Sequence, residues 1–454
     1  MKAGFGKAII TPPIGFSLVG YFTDRRCKGI RNNLYSIASV FSNDKEIFAI
    51  VSCDLIWIDK KISEKVKEIV QKKFKIPISN ILLHATHTHT GPLPSLPSNS
   101  IYTKGFYVEK SYLEILPFYI AGSIKIAYEN MEEVNIGFGK EEVEEISFNR
   151  RYLMKDGRVI TNPFNQKEQI VKSAGPIDNS LGIMKITDKK GELKGILINF
   201  ACHPDTLGDD LISTDWPGFL REKLEKIFPG TTAITLNGPS GDINHVNPFN
   251  FKTRTPDIGN KIAEKIKEKV LKSIPKIKLE KTLHIGSFSK KIKLQYREIT
   301  KDELKKAISY LKGKKVPKDS LKYLVSATLV NIYNERKKNK NIITEITCFS
   351  FGNKLSIIGL PGEIFAEIGI KIKKNSNFQN TWIVQNCYDS IGYIPSKLAF
   401  SQHKKNLKIK PDFDEICLTE AIGINCSYET TLGSKVNEKS EEIIEKEVKK
   451  LLNL

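Results

Sequence analysis

The sequence lacks both a membrane-spanning segment and the cysteine pattern of a disulfide framework. None of its apolar runs reaches the roughly 20 residues that a transmembrane helix needs. The first residues contain neither the apolar core nor the cleavage site of a signal peptide, so we expect a cytoplasmic protein. The 7 cysteines are odd in number and form no Cys-x-x-Cys pair, so we expect buried free thiols.

The amino-acid composition of the chain is that of a globular protein. Of 454 residues, 40% are hydrophobic and 27% are charged, which excludes a collagen-like or a largely disordered protein. We find no internal repeat and no low-complexity linker. We therefore expect one domain over residues 1–454, with a charged helical insertion at residues 288–342.

The net charge of +20 comes mostly from lysines spread along the chain, most densely at residues 261–340. The sequence has no zinc-finger spacing, no helix-turn-helix and no aromatic stacking platform, so we expect no specific nucleic-acid partner. A lysine-rich solvated surface explains the charge, and a weak contact with an anionic membrane surface is the alternative. The oligomeric state is left open.

Strand-like and helix-like segments alternate along the chain. Continuous apolar runs at 47–51, 81–83, 195–201, 231–236 and 382–384 predict buried strands, and 346–358 predicts a hairpin. Periodic segments predict helices at 62–74, 106–130, 219–227 and from 439 onwards. Thr255 and Pro256 predict another helix start, with Thr255 as N-cap. The fold class is therefore α/β: a single large domain of mixed β-sheets flanked by helices.

Three of the 7 histidines fall within six residues, namely His84, His87 and His89. In extended backbone, side chains two residues apart point to the same side, so His87 and His89 can reach one point. His-x-His directly after a buried strand is typical of a divalent metal site. A pair of hydrogen-bonding histidines at a turn is the alternative.

Other polar residues also follow predicted strands. His203 comes after the strand at 195–201, and a Gly-rich loop with Asp242 follows the strand at 231–236. Glu363 and Tyr393 come after the last two strands. Because sites in α/β sheets form beyond the carboxyl ends of the strands, these residues can converge on one pocket. Each also has a structural explanation alone, but together they favour a metal hydrolase with its site at these strand ends.

The sequence resembles the neutral/alkaline, non-lysosomal ceramidase family. The resemblance is strongest at Ala85-Thr86-His87-Thr88-His89-Thr90-Gly91-Pro92. It runs in order through nearly the whole chain, at Gly4 to Pro13, Gly20-Tyr21, Cys53-Asp54-Leu55, Phe148-Asn149-Arg150, His203, Asn237 to Asn244, Pro361-Gly362-Glu363 and Gly392-Tyr393.

This resemblance implies a site and a reaction. One Zn²⁺ per chain would be bound by His87, His203, Glu363 and Tyr393. His89 would act in proton transfer or bind the oxyanion, and Arg150 would hydrogen-bond the substrate. We include Asp242 among the catalytic candidates, while Asp54, Asp205 and Asp242 all remain open as the carboxylate that supports the site. The implied reaction is hydrolysis of an N-acyl amide in a lipid-like substrate, as in the conversion of ceramide to a sphingoid base and a fatty acid.

The sequence also departs from the family pattern. Asn244 stands where the family has Ser, Tyr428-Glu429-Thr430 lacks the Gly of the family's Tyr-Glu-Gly, and we expect no counterpart of the C-terminal immunoglobulin-like domain. Two alternatives therefore remain. One is a zinc hydrolase for another N-acyl or ester substrate, such as an acylated sugar or a peptide-like amide. The other is a basic lipid- or nucleic-acid-binding protein with a vestigial site.

Overall fold

Two β-sheets pack face to face between two layers of helices in the structure, which is a computed structural model. It describes residues 1–21, 24–43, 45–96, 105–250, 255, 257–280, 283–313, 321–409, 428–431 and 433–452.

The helices of the described residues include all those that the sequence predicts. In chain order they are α1 (Lys60–Phe74), α2 (Lys110–Glu129), α3 (Asp215–Ile227), α4 (Ile258–Ser273), α5 (Lys301–Leu311), α6 (Leu321–Lys338), α7 (Ala366–Lys374), α8 (Lys397–Ile409) and α9 (Ser440–Leu452). The predicted start of α4 is wrong, because its N-cap is Asp257. The carbonyl of Thr255 instead accepts the Ile258 N–H and closes a turn before the helix, while Pro256 lies outside the described residues.

Each predicted apolar run coincides with a strand, but the described residues hold many further strands that no apolar run predicted. The first half of the chain holds β1 (Lys2–Ile9), β2 (Ser17–Leu18), β3 (Arg25–Arg26), β4 (Gly29–Ile30), β5 (Tyr35–Ser42), β6 (Ile47–Cys53), β7 (Ile81–Ala85), β8 (Glu132–Glu142), β9 (Phe148–Asn149), β10 (Arg151–Met154), β11 (Val159–Thr161), β12 (Ile170–Ser173), β13 (Ser180–Asp188) and β14 (Leu193–Phe200). The second half holds β15 (Leu211–Ile212), β16 (Thr232–Asn237), β17 (Ile243–Asn244), β18 (Leu279–Glu280), β19 (Ile285–Gln295), β20 (Asn341–Phe351), β21 (Leu355–Gly359), β22 (Glu363–Ile364), β23 (Asn380–Val384) and β24 (Tyr393–Ile394).

The larger sheet has the strand order β16-β14-β13-β8-β1-β5-β6-β7, with β18 added on β8. The second sheet has the order β19-β20-β21-β23 and contains the predicted hairpin as β20 and β21. Both sheets are mixed, since β6/β7, β14/β16 and β21/β23 are parallel pairs. In the stretch 288–342, the described residues form the end of β19 and the helices α5 and α6. That it is an insertion stays a prediction.

Side chains alternate between the two faces along each strand, so each sheet packs against the other sheet on one face and against helices on the opposite face. Phe48 on β6 stacks on Phe349 on β20 with ring centroids 4.2 Å apart, in the core between the sheets. The other face of the larger sheet is covered by α1 to α4. The other face of the second sheet is covered by α5, α6, α7 and α9. The predicted mixed sheets flanked by helices are therefore confirmed.

The parallel pairs determine where polar residues collect. His87 follows β7, His203 follows β14, Glu363 lies on β22 just after β21, and Tyr393 lies on β24 after β23. These positions lie beyond the carboxyl ends of their strands, which is where α/β sheets place their sites.

The structure also bears on the cysteines and on the search for a membrane-spanning helix. Cys27, Cys53, Cys202, Cys348 and Cys387 are buried and free, as predicted, while Cys417 and Cys426 lie outside the described residues. Across the described part of the chain, we find no helix with the length and apolar character needed to span a bilayer.

Candidate active site

His87 is the residue at which the chain turns away from the sheet after β7. Its φ of 74° lies in the left-handed region that non-glycine residues rarely adopt. Its ring Nδ1 lies 2.6 Å from the carbonyl oxygen of Ile56. A carbonyl only accepts, so Nδ1 carries the proton and Nε2 keeps its lone pair. The backbone is not extended here, contrary to the prediction, yet the turn brings the rings of His87 and His89 to 5.1 Å.

His203 reaches the same place from the end of β14. Its Nδ1 lies 3.1 Å from the carbonyl oxygen of Ser240, which leaves Nε2 as the available nitrogen. That Nε2 lies 3.0 Å from Nε2 of His89. One ring nitrogen from each of His87, His89 and His203 falls within a group no more than 4.8 Å across. These three buried imidazoles could therefore hold a metal ion.

Glu363 and Tyr393 come together through the pairing of β22 with β24, in which they are register partners. The carboxylate Oε2 of Glu363 lies 3.2 Å from Nε2 of His87. The ring of Tyr393 is buried, 5.6 Å from the ring of Tyr428. The structure thus brings Glu363 to the histidines and places Tyr393 beside Glu363. Their action as ligands stays a prediction.

The donor atoms at this site fit a divalent cation. Nε2 of His87, Nδ1 of His89 and Oε2 of Glu363 are buried and have no hydrogen-bond partner among the described residues. Because buried polar atoms are normally satisfied, such atoms indicate a place where another group binds. Burial lowers the pKa of His89 and of His203 well below the usual range. Neutral imidazole is the form that binds metals.

Asp205 is the carboxylate that faces the histidines. Its Oδ1 lies 3.5 Å from Nδ1 of His89, and it accepts a hydrogen bond from the Tyr21 hydroxyl. Burial raises its pKa to about 6. Gly20 lets the segment that carries Tyr21 pack directly against the ring of His89. A Cβ at this position would lie only 2.4 Å from Cγ of His89. Of the three carboxylates left open by the sequence, Asp205 is therefore the one in contact with the cluster.

The other two carboxylates are engaged elsewhere. Oδ1 of Asp242 accepts the backbone N–H of Ala366 at 2.8 Å, and Oδ2 accepts the Asn149 amide at 2.7 Å. Asp54 pairs with Arg221 at 2.9 Å. The carboxylate of Asp242 thus joins the start of α7 to β9, and its predicted catalytic role stays a prediction.

Arg150 is buried and held rigidly. Its Nη2 donates to the Gly241 carbonyl at 2.7 Å, and its Nε donates to Glu429 at 2.9 Å. Burial opposes its charge, but Tyr428, Tyr393 and Glu429 raise the pKa of Arg150 well above its usual range. The guanidinium lies 5.5 Å from the ring centroid of Tyr393, so a fixed positive charge stands beside this predicted ligand.

Sequence reasoning missed the roles of Glu429 and Tyr21. Glu429 lies 279 positions from Arg150 along the chain, so no local spacing indicated their pairing. The available signals were weak: the incomplete Tyr428-Glu429-Thr430 motif and the dipeptide Gly20-Tyr21.

A cavity of about 810 Å³ opens onto the cluster. His87, His89, Glu363 and Tyr393 line its buried part. The apolar side chains along it include Val19, Ile56, Trp57, Leu96, Leu113 and Ile332. Exposed lysines of α1 and α2 line it as well, among them Lys61, Lys65 and Lys110. The cavity is large enough for a small organic or lipid-like molecule.

Comparison with known proteins places this site in a family. In a neutral ceramidase of Pseudomonas aeruginosa, 230 residues are 27% identical to this chain; they cover 48% of this chain and 32% of the relative. The crystal structure of neutral ceramidase from Pseudomonas aeruginosa aligns with a TM-score of 0.66 at 17% identity, covering 94% of this chain and 75% of that chain. A ceramidase complexed with C2 aligns with a TM-score of 0.65 at 16% identity, covering 94% and 76%.

The chain spans about a third of the length of the curated relative that it matches. The likeness to the two solved structures shows the fold. The N-terminal model of the neutral/alkaline non-lysosomal ceramidases matches residues 1–351, a range that includes His87, His89, Arg150 and His203. With three quarters of its residues covered by that model, the chain belongs to the neutral/alkaline non-lysosomal ceramidase family.

Proposed function

We propose that this protein is a zinc-dependent amidohydrolase that cleaves the amide bond of an N-acylated lipid, as in ceramide. The observation that carries the proposal is a pair of buried donor atoms, His87 Nε2 and Glu363 Oε2. They lie 3.2 Å apart without a hydrogen-bond partner among the described residues, in the buried part of a cavity with apolar side chains along it. The apolar part suits an acyl chain, and the family membership supports the reaction class.

His87, His203, Glu363 and Tyr393 are the residues we assign to the metal. The carbonyl oxygens of Ile56 and Ser240 fix the ring protons of the two histidines on Nδ1, so both present Nε2. Zinc bound there would supply Lewis acidity toward a carbonyl oxygen and would lower the pKa of water.

The remaining residues hold charge and move protons. His89 lies between His203 and Asp205. We assign it the transfer of a proton from the attacking water to the amine nitrogen, which leaves when the C–N bond breaks and the water oxygen has bonded to the acyl carbon. Arg150, fixed by Glu429 and Gly241, supplies positive charge near the carbonyl oxygen of the scissile amide, where negative charge develops when water adds to the acyl carbon. Tyr21 and Asp205 keep the ring of His89 in place.

A second substrate class is an N-acyl amide whose amine part is polar or charged. The cavity is also lined by Asp59, Glu114, Glu335 and Asp389. These carboxylates suit hydroxyl or ammonium groups on the amine side of the substrate better than a second apolar chain.

Elemental analysis combined with an N-acyl amide assay tests the proposal. We expect about one zinc per chain in the parent and little in His203→Ala, with release of fatty acid and amine by the parent and not by His203→Ala. His284→Ala is the control, because His284 is exposed and lies outside the cluster. Absence of zinc after reconstitution, or equal zinc in His203→Ala, would overturn the metal assignment. Zinc without hydrolysis of any N-acyl amide would overturn the reaction.

A further inference from the structure

Helix α2 exposes an apolar face beside the cavity. Its side chains are Ile115, Phe118, Tyr119 and Ile126, with exposed fractions of 45%, 53%, 44% and 40%. Their spacing of three, four and seven residues places them on one side of the helix. Gly122 lies within this row, and a Cβ built on it meets no atom within 4 Å. We call these four residues the α2 stripe.

The α2 stripe faces outward because the opposite side of α2 is buried in the core. Leu116, Ile120 and Ile124 are fully buried in the core against the larger sheet. A second flank borders the cavity through Lys110, Leu113 and Pro117. The helix therefore has a core side, a cavity side and an apolar side that faces outward. Contiguous exposed apolar surface of this kind indicates a binding surface.

Helix α1 lies next to α2 and carries positive charge. The two helices share one apolar core, and the rings of Phe74 and Tyr128 lie 5.9 Å apart. The exposed lysines on α1 and directly after it are Lys61, Lys65, Lys72, Lys73 and Lys75, against two exposed carboxylates, Glu64 and Glu68. Lys61 and Lys65 also line the cavity. An apolar helix face beside a lysine-rich helix has the chemistry that binds anionic bilayers.

We propose that the α2 stripe, together with the lysines of α1, docks this protein on an anionic lipid surface. Charge complementarity selects this occupant, because a chain of net charge +20 is attracted to anionic head groups and repels a second copy of itself. Because both helices border the cavity, docking brings the cavity next to the lipids. This consequence for substrate access rests on the proposed function, whereas docking itself does not.

Co-sedimentation of the full chain with vesicles tests the inference without any reading of activity. The probes are vesicles of phosphatidylcholine alone and of phosphatidylcholine with roughly a third phosphatidylglycerol. We expect binding to the anionic vesicles that weakens as salt is raised. The double variant Ile115→Ser with Phe118→Ser should bind about tenfold more weakly, because apolar area that enters the interface is lost. The control is Ile343→Ser with Phe249→Ser, which removes exposed side chains of the same types outside α1 and α2.

A second pair of variants separates local from total charge. Lys72→Glu with Lys73→Glu should weaken binding by about 30-fold, since each of the two basic residues near the surface contributes about 1 kcal/mol and about 1.4 kcal/mol is tenfold. Lys272→Glu with Lys276→Glu makes the same change in net charge on α4 and the residues after it, and we expect near-parental binding. Circular dichroism confirms that each variant is folded.

Three results would overturn the inference. The first is failure of the parent to bind either kind of vesicle. The second is equal binding by the stripe variant and the parent. The third is a parent that sediments as a dimer while the stripe variant sediments as a monomer, which would assign the α2 stripe to a second copy of the chain.

Discussion

At the scale of single residues, the structure distinguishes Asp205 from the other two candidate carboxylates, because Asp205 alone of the three contacts the histidines. It contacts His89 on one side and Tyr21 on the other. Carboxylates that hold a histidine of a metal site fix its orientation and tautomer, and their loss typically costs about 10- to 100-fold in activity or metal affinity. Asp205 is thus a positioning residue for His89.

We expect Asp205→Asn to lower kcat by about 10- to 100-fold while zinc content stays near the parental value. The asparagine keeps the size of the side chain but loses the charge that stabilises a protonated His89. The assay is N-acyl amide hydrolysis with elemental analysis of the same sample. Asp209→Asn is the matched control, because Asp209 lies in the same segment and pairs with Arg31 at the surface. An Asp205→Asn enzyme as active as the parent would remove Asp205 from the mechanism.

Contacts between residues that are far apart in sequence are the part of the site that could not be predicted. His87, His203, Glu363 and Tyr393 could be proposed because each follows an apolar run, and the fold brings them to one region. The pairing of Arg150 with Glu429 joins positions 279 residues apart, and it depends on tertiary structure that no local pattern encodes. The left-handed backbone at His87 is likewise set by its bonds to Leu55 and Ile56.

At the scale of secondary-structure elements, the start of α7 is tied to the Gly-rich loop by Asp242. Its carboxylate accepts the N–H of Ala366, the first residue of α7, and the amide of Asn149 on β9. Burial raises the pKa of Asp242 to about 6. The folded state therefore favours the protonated carboxyl more than the unfolded state does. This contribution to stability is full below the unfolded pKa of about 3.9 and is lost as pH rises through about 6.

We therefore expect the stability advantage of the parent over Asp242→Asn to shrink with rising pH. Between about pH 5 and pH 7 the free energy of unfolding of the parent should fall by about 1 kcal/mol relative to the variant. Urea unfolding of both proteins at the two pH values measures this difference. An advantage that grows with pH would show that the fold stabilises the ionised carboxylate.

The contact between β1 and α2 offers a second test at this scale. Gly6 on β1 lies so close to α2 that a Cβ would be 2.3 Å from the Ser123 carbonyl oxygen. Gly6→Ala should therefore cost about 1 to 3 kcal/mol by forcing the helix away from the sheet. Gly122→Ala on α2 is the matched control: its Cβ would meet open space, and the helix should gain up to about 1 kcal/mol. Chemical unfolding of the two variants gives both values, and equal stabilities would contradict the close approach.

At the scale of the whole molecule, the sequence predicted the long buried strands better than it predicted their order in the sheets or the short strands. Continuous apolar runs identified β6, β7, β14, β16 and β23, because strands covered on both faces carry apolar residues at most positions. The order of strands within the two sheets did not follow from those runs. Short strands such as β22 and β24 have two residues each, too few to show a period, although they carry Glu363 and Tyr393.

The candidate metal site connects parts of the molecule that belong to different sheets. His87 and His203 follow strands of the larger sheet, whereas Glu363 and Tyr393 follow strands of the second sheet. A metal held by all four would link the two sheets beyond the carboxyl ends of these strands, and it would bind the folded state in preference to the unfolded chain. Ligand binding of this kind raises the free energy of unfolding by about 2.7 kcal/mol at 100 times the dissociation constant. The link would also leave the core between the sheets unchanged.

We expect chelation of zinc to lower the urea midpoint of the parent and re-addition of zinc to restore it. His203→Ala should be insensitive to both treatments, because its site has lost a ligand. His284→Ala should respond as the parent does, since His284 is exposed. If His203→Ala were stabilised by zinc as strongly as the parent, the metal would bind elsewhere and the two sheets would be joined by packing alone. If the parent lost stability on chelation and His203→Ala did not, the donors of the candidate site would stabilise the whole fold through the ion that they bind.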